Sequence, residues 1–128
     1  MEVLKAIKTR LNDYVGLTSL VGARIYHKVL PQNPTYPCVT YYTVTNTYDW
    51  AMGSDTGLQH ARIQVSSFGA DDSIAADAAT QVKAALKRWS GTAAGVTVQA
   101  IFMENEFDFY DPETEDWQFI HDYMVHYR

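Results

Sequence analysis

The chain has 128 residues, of which 47% are hydrophobic and 20% are charged, and its formal net charge is −5. This length predicts a single domain over residues 1–128, and the acidic balance argues against direct nucleic-acid recognition, which needs clustered Lys and Arg. The single cysteine excludes an intrachain disulfide, and the sequence contains no apolar run of about 18 residues that would predict a membrane span.

The N-terminal segment predicts an amphipathic helix, because its apolar residues recur at intervals of three or four. Those residues are Val3, Leu4, Ile7, Leu11 and Tyr14. Charged residues interrupt the segment, so it does not resemble a signal peptide, and we expect the protein to stay in the cytoplasm where it is made. The helix is expected to end by Gly16, and residues 17–22 predict one more short turn.

Prolines at positions 31, 34 and 37 predict an extended loop, because proline lacks a backbone donor and restricts the residue before it. Residues 38–48, dense in Val, Thr and Tyr, predict a strand, and residues 58–68 predict a second by their alternation of apolar and polar positions. The predicted loop between them, 49–57, is long for a hairpin. We expect it to be mobile in the free protein and to contact a partner through Trp50 and Met52.

The clearest helix is predicted over residues 69–91, with Asp71 or Asp72 as its N-cap and Gly91 just past its end. Two more strands are predicted over residues 96–110 and 116–128. In the first of them, strict alternation would place one set of side chains on each face. The predicted apolar set is Ile101, Met103, Phe107 and Phe109, and the predicted wet set is Glu104, Glu106 and Asp108.

The predicted element order is α-β-β-α-β-β. Short links between consecutive strands favour antiparallel pairing. We therefore expect an α+β fold with a four-stranded antiparallel sheet and two helices packed on one face.

Seven acidic residues lie between positions 104 and 116, which raises the question of a metal or acid–base site. Asp111 and Pro112 suit the first two positions of a type I turn, so the segment is better explained as a solvated hairpin. Catalytic carboxylates need a dry pocket to separate their pKa values, and the sequence predicts none here. A small ligand- or metal-binding domain using this acidic hairpin stays as the alternative from another functional class.

The remaining reactive side chains also indicate no enzyme, no metal site and no cofactor. His121 and His126 are five apart on a predicted strand, so they point to opposite faces, and His27 and His60 lack a second ligand at motif spacing. Cys38 has no neighbouring base and is expected to be a buried small side chain.

Charge is unevenly distributed along the chain. Residues 1–28 carry five basic against two acidic residues, a net +3, whereas residues 104–128 carry eight acidic residues against one basic residue, a net −7. The two ends therefore have opposite signs.

Three stretches together resemble the small tail-completion proteins, or tail-to-head joining proteins, of long-tailed phages and prophages. They are "LVGARIYHKVLPQNPTYPCVTY" (20–41), "ARIQVSSFGADDSIAADAATQVKAAL" (61–86) and "YDPETEDWQFIHDYMVHYR" (110–128). The resemblance covers nearly the whole chain in the right order. The sequence departs from the pattern at Ala23, where an aspartate is expected, and at Glu115, where a glycine often closes the turn.

The resemblance implies a structural virion protein without catalytic activity that forms a ring, expected to be hexameric, at the head-proximal end of the tail. The implied partners are the tail-tube protein and the head connector or a head-completion protein. The implied location is the host cytoplasm during assembly and then the virion. A tail terminator, which caps the length of the tube, is the nearest alternative function.

A closed ring needs two different contact surfaces on each copy, and the charge asymmetry could supply them. We hypothesise that Glu104, Glu106 and Asp108 of one copy meet Arg24 or Lys28 of the next. The competing interpretation is that these acids pair with Arg62 in the same sheet or are simply solvated.

Overall fold

The computed structural model describes residues 2–51 and 54–128. The elements in chain order are α1 (Glu2–Asp13), α2 (Val15–Val21), β1 (Ile25–His27), β2 (Cys38–Ala51), β3 (Ser54–Gly69), α3 (Asp72–Leu86), β4 (Gly91–Ala93), β5 (Val96–Asp111) and β6 (Asp116–Tyr127). None of the described helices is long and apolar enough to cross a membrane.

The sheet has six strands in the order β1-β2-β3-β6-β5-β4. Strand β1 runs parallel to β2, and the other neighbours are antiparallel. The predicted four-stranded antiparallel sheet with two helices is therefore wrong: the described residues form a curled, mixed six-stranded sheet with three helices.

The strands that the sequence analysis did not predict are short. Strands β1 and β4 have three residues each, which is too few for an apolar–polar period to appear. β1 lies directly before the proline-rich segment, and its parallel pairing follows from the crossover through that segment. Helix α2 was expected to be a single turn, but Tyr14 is extended (φ −85, ψ 104) and separates it from α1 as a helix of its own.

Helices α1 and α3 contact the strands directly, α2 packs against α1 and α3, and one core lies between the helices and the sheet. From the helices, this core takes small and branched side chains that allow close approach to the strands. Fully buried examples are Val3, Ile7, Leu11, Leu17, Val21, Ala78, Val82 and Leu86. Val39, Ile63, Ile101, Tyr123 and Val125 face them from the sheet.

Helix α3 begins as predicted, because the Asp71 side chain accepts a hydrogen bond from Ile74 N at 3.0 Å. It ends at Leu86, so the expectation that Gly91 lies just past its end is wrong. The chain instead turns at Arg88, whose φ is +63°.

A β-bulge on β5 changes which side chains share a face. Met103 lies opposite Tyr123, but Asn105 lies opposite Asp122, so Glu104 is an extra residue in β5. Beyond the bulge, Glu106 is on the same face as Met103, toward the helices, and the following phenylalanines are on the opposite face. The predicted grouping of Ile101 and Met103 with Phe107 and Phe109 is therefore wrong.

The acidic turn between β5 and β6 forms where the sequence predicted it. Asp111 Oδ1 accepts a hydrogen bond from Glu113 N at 3.0 Å. Glu115 has φ +55°, the left-handed conformation that a glycine adopts without a steric penalty.

Candidate assembly interface

The two groups of charged residues proposed to meet between copies lie at opposite sides of the sheet. Lys28 directly follows β1, the first strand in the sheet order, whereas Glu104, Glu106 and Asp108 lie on β5, next to the other edge. One copy therefore has a basic residue at one edge and an acidic row near the other.

Arg24 is held within its own subunit. Its Nε donates to Pro37 O at 3.0 Å, and its Nη2 donates to Leu20 O at 3.2 Å. The half-buried guanidinium thus fastens the end of α2 to the residue before β2. We conclude that Arg24 supports this edge and that Lys28 is the better candidate for an intersubunit contact.

Lys28 is exposed and has φ +67°, and its backbone N donates to Tyr41 O at 3.1 Å. It lines an open cleft of about 580 Å³ beside β2. The cleft walls are Leu4, His27, Lys28, Thr43, Val44, Thr45, Asn46 and Tyr48.

Glu106 has partners within its own chain. Its Oε2 lies 3.2 Å from Lys83 Nζ on α3 and 3.6 Å from His121 Nε2. Glu106 therefore has an intrachain partner, but that partner is Lys83 on α3 and not Arg62, as the competing interpretation expected. Arg62 instead pairs with Asp122 at 3.2 Å.

His121 and Tyr123 continue this cluster into the core. His121 Nδ1 lies 3.0 Å from the Tyr123 hydroxyl. Burial lowers the pKa of His121, and the Glu106 carboxylate only partly opposes that effect. Burial also raises the pKa of Tyr123, so both groups favour their neutral forms in a site adjoining only a small cleft of about 150 Å³.

Glu104 and Asp108 are exposed, Glu104 at the bulge and Asp108 beside Phe107 and Phe119. These two carboxylates remain the best acidic candidates for a contact with another chain. The backbone of Trp50 pairs with Asp55 in the β2–β3 hairpin, so the connection is shorter than the loop predicted over residues 49–57. The side chain of Trp50 and all of Met52 lie outside the described residues.

The acidic turn is not wholly solvated. Asp116 is only 3% exposed and accepts hydrogen bonds from the Tyr36 hydroxyl at 3.0 Å and from Gln118 Nε2 at 3.2 Å. This carboxylate ties the proline-rich segment to the start of β6. Over residues 2–51 and 54–128, apart from the side chains left undescribed, no three His, Cys, Asp or Glu residues are placed to share a metal ion.

Residues 5–128 match the family model described as tail completion protein gp17. The chain belongs to this family. Its role is accordingly a structural one in phage tail assembly, and the expected family is confirmed.

The fold of this tail completion family member is also similar to a chain from the virion of a native gene transfer agent particle. The TM-score is 0.79 and the identity 14%, and the match covers 95% of this chain and 91% of that chain. This similarity independently shows the fold. No curated protein sequence gives a significant match.

The tail completion fold also brings together two histidines that are far apart in the sequence. His60 on β3 and His126 on β6 are directly opposite, with their Nδ1 atoms in contact and Phe102 edge-on to His126. The two residues are 66 positions apart, so only the strand register could have revealed the pair.

Cys38 is fully buried, as predicted. Burial raises the pKa of its thiol to about 11, which keeps it protonated near neutral pH.

Proposed function

We propose that the chain forms a ring at the head-proximal end of a phage tail and joins the tail to the head connector. Family membership supports the tail role. The observation that carries the ring is the placement of Lys28 and the acidic β5 row toward opposite edges of one sheet.

Opposite edges matter because a ring is built from a heterologous contact, in which each copy uses one surface toward the left and a different one toward the right. Complementary charges at those two surfaces favour the head-to-tail arrangement over a symmetric dimer, which would bring like charges together. Exposed ion pairs contribute only about 0–1 kcal/mol each, so they select the orientation and other contacts must supply the affinity.

In this proposal the ring is hexameric, and its two flat sides contact the tail-tube protein and the head connector or a head-completion protein. The virion of a gene transfer agent, which contains a chain of similar fold, is consistent with such an environment. Assembly would take place in the host cytoplasm, and the protein would then stay in the virion. No catalytic step is required for this role.

The test is deletion of the gene in the parent phage, followed by negative-stain electron microscopy of the lysate. DNA-filled heads beside complete, unattached tails are the expected result. Tails of uncontrolled length would instead assign the terminator role, and intact infectious particles would overturn both.

The acidic hairpin gives a separate test of the ligand- or metal-binding alternative. Titration with calcium or magnesium should leave the melting temperature unchanged, because a ligand that binds the folded state alone would raise it. A saturable rise would reopen that alternative.

A further inference from the structure

Two strands have edges that no other strand covers among the described residues. Strand β4 pairs with β5 only over Val96–Val98, and Arg88 N donates to Ile101 O at 3.1 Å. On that side, 103–111 of β5 remain open. Strand β1 likewise pairs with β2 only over Val39–Tyr41, so 44–48 of β2 are open on that side.

We propose that the ring closes by strand addition, with the open edge of β5 in one copy forming main-chain hydrogen bonds to the open edge of β2 in the next. This inference rests on the proposed ring and specifies how its copies join. The occupant of each edge is therefore a second copy of this chain.

The β2 edge lacks most of the usual protection against pairing. Natural proteins shield exposed edges with charged residues, prolines, β-bulges or a covering element. The segment 44–48, "VTNTY", contains neither a charge nor a proline, and it exposes 45% of Val44 and 49% of Tyr48. Its one irregularity is at Val44, an extra residue between Thr43 and Thr45, and 45–48 continue as regular strand beyond it. A strand-forming, uncharged edge of this kind indicates a partner in the assembled state.

The β5 edge has the opposite character. It carries Glu104, Glu106 and Asp108, and Phe107 and Phe109 are about half exposed beside them. Two β5 edges would place these carboxylates against one another, and like charges opposite each other destabilise strand pairing. An acidic edge is instead compatible with the uncharged β2 edge, beside which Lys28 lines the open cleft.

The two edges together therefore favour β5–β2 pairing over β5–β5 pairing. Because β5–β2 pairing uses a different edge on each copy, it can propagate from copy to copy and close into a ring.

Hydrogen exchange measured by mass spectrometry tests whether copies join by strand addition, and native mass spectrometry tests separately whether they form rings. The full-length protein is compared at a concentration where native mass spectrometry shows monomers and at one where it shows rings. We expect peptides covering 44–48 and 103–111 to exchange at least about tenfold more slowly in rings. Rings whose two segments exchange as fast as in monomers would overturn strand addition and leave the ring standing.

Other outcomes of the same experiment are also decisive. Dimers protected at 44–48 alone would show that β2 pairs with β2, which overturns the proposal. Absence of any oligomer at every concentration, with the chain shown to be folded, would overturn both strand addition and self-assembly into a ring.

Substitutions at Val44 test the predicted neighbour of the β2 edge. V44E places a carboxylate against the acidic β5 edge, and we expect the concentration for half-assembly to rise about tenfold or more. V44K should leave assembly within about threefold of the parent, because its charge is opposite to that of β5. V15E is the matched control, since Val15 is 76% exposed on α2, a helix that packs against α1 and α3 and belongs to neither strand edge.

The melting temperature of each monomer establishes that the variants fold. Equal effects of V44E and V44K would show that the partner of β2 is not the acidic β5 edge, which contradicts the proposal. If V15E loses as much assembly as V44E, the effect is not specific to the β2 edge and the proposal is also contradicted.

Discussion

At the residue scale, the hydrogen bond between Tyr36 and Asp116 links the proline-rich segment to the start of β6. Burial and the bond to this carboxylate raise the pKa of Tyr36 to about 12 from its ordinary 10.0. The protonated hydroxyl is therefore favoured in the folded chain. Below pH 10 the folded and unfolded states both hold the proton, and the stabilisation is fully present there.

As the pH rises from 10 toward 12, the unfolded tyrosine loses its proton first, so stability must fall across that window. We predict that Y36F, which cannot ionise, loses less stability than the parent between pH 10 and 12. Urea unfolding at a series of pH values measures this difference. The other tyrosines are present in both proteins, so their ionisation affects both equally. If the free energy of unfolding falls with pH by the same amount in Y36F and in the parent, the prediction is wrong.

At the element scale, the junction of β3 and α3 depends on the absence of a side chain at Gly69. A Cβ built there would lie 2.5 Å from the backbone N of Ala75. This obstacle is a helix backbone, which cannot rotate away as a side chain can.

We predict that G69A lowers the free energy of unfolding by about 3 kcal/mol or more, because it overpacks a rigid contact. The matched control is G95A. Gly95 has φ +79° and no atom within 4 Å of an added Cβ, so only the backbone strain of about 1–2 kcal/mol should appear. Chemical denaturation of both variants measures the difference. If G69A and G95A lose the same free energy of unfolding, the backbone near Ala75 must move to accommodate the added Cβ, and the prediction is wrong.

The sequence predicted the long elements because each contains several periods of its pattern. Strands β2, β3, β5 and β6 and helix α3 are all recognisable in this way. The three-residue strands β1 and β4 carry no such period, and the parallel pairing of β1 depends on the path of the proline-rich segment. The six-stranded sheet was therefore beyond what local patterns can predict.

The candidate interface shows a second limit. The alternation of residues in the sequence predicted that Glu104, Glu106 and Asp108 share one face of β5. The extra residue at the bulge reverses the alternation after Met103, so the side chains beyond it are on the opposite face from the one predicted. Glu106 consequently reaches Lys83 on α3. The pair His60 and His126 was missed for a related reason, since it depends on the register between β3 and β6.

At the scale of the whole molecule, the proposed ring depends on charges of opposite sign at opposite edges of the sheet. We predict that E104K combined with D108K weakens assembly, because it replaces the acidic row that would face Lys28 of a neighbour. This pair of substitutions leaves the Lys83–Glu106 contact in place, whereas reversing Glu106 would put two cations side by side.

Sedimentation velocity at low salt measures the shift toward monomer. Adding K28E should partly restore assembly if the opposed charges meet, and the same substitution alone should weaken it. Raising the ionic strength of the buffer should weaken assembly of the parent protein in the same way, since interactions between exposed charges are screened over about 10 Å at 0.1 M salt. Unchanged assembly of the double variant would contradict the charge contact.

The position of β6 has a consequence for how the chain is made. It is the last of the described strands along the chain, yet it lies in the middle of the sheet, between β3 and β5. While a ribosome is still synthesising β6, β3 has only β2 as a neighbour and β5 has only β4, and the two parts of the sheet are not joined. The sheet is therefore completed only after β6 has been made, and a nascent chain stalled before that point would present the unpaired edges of β3 and β5 to chaperones and proteases.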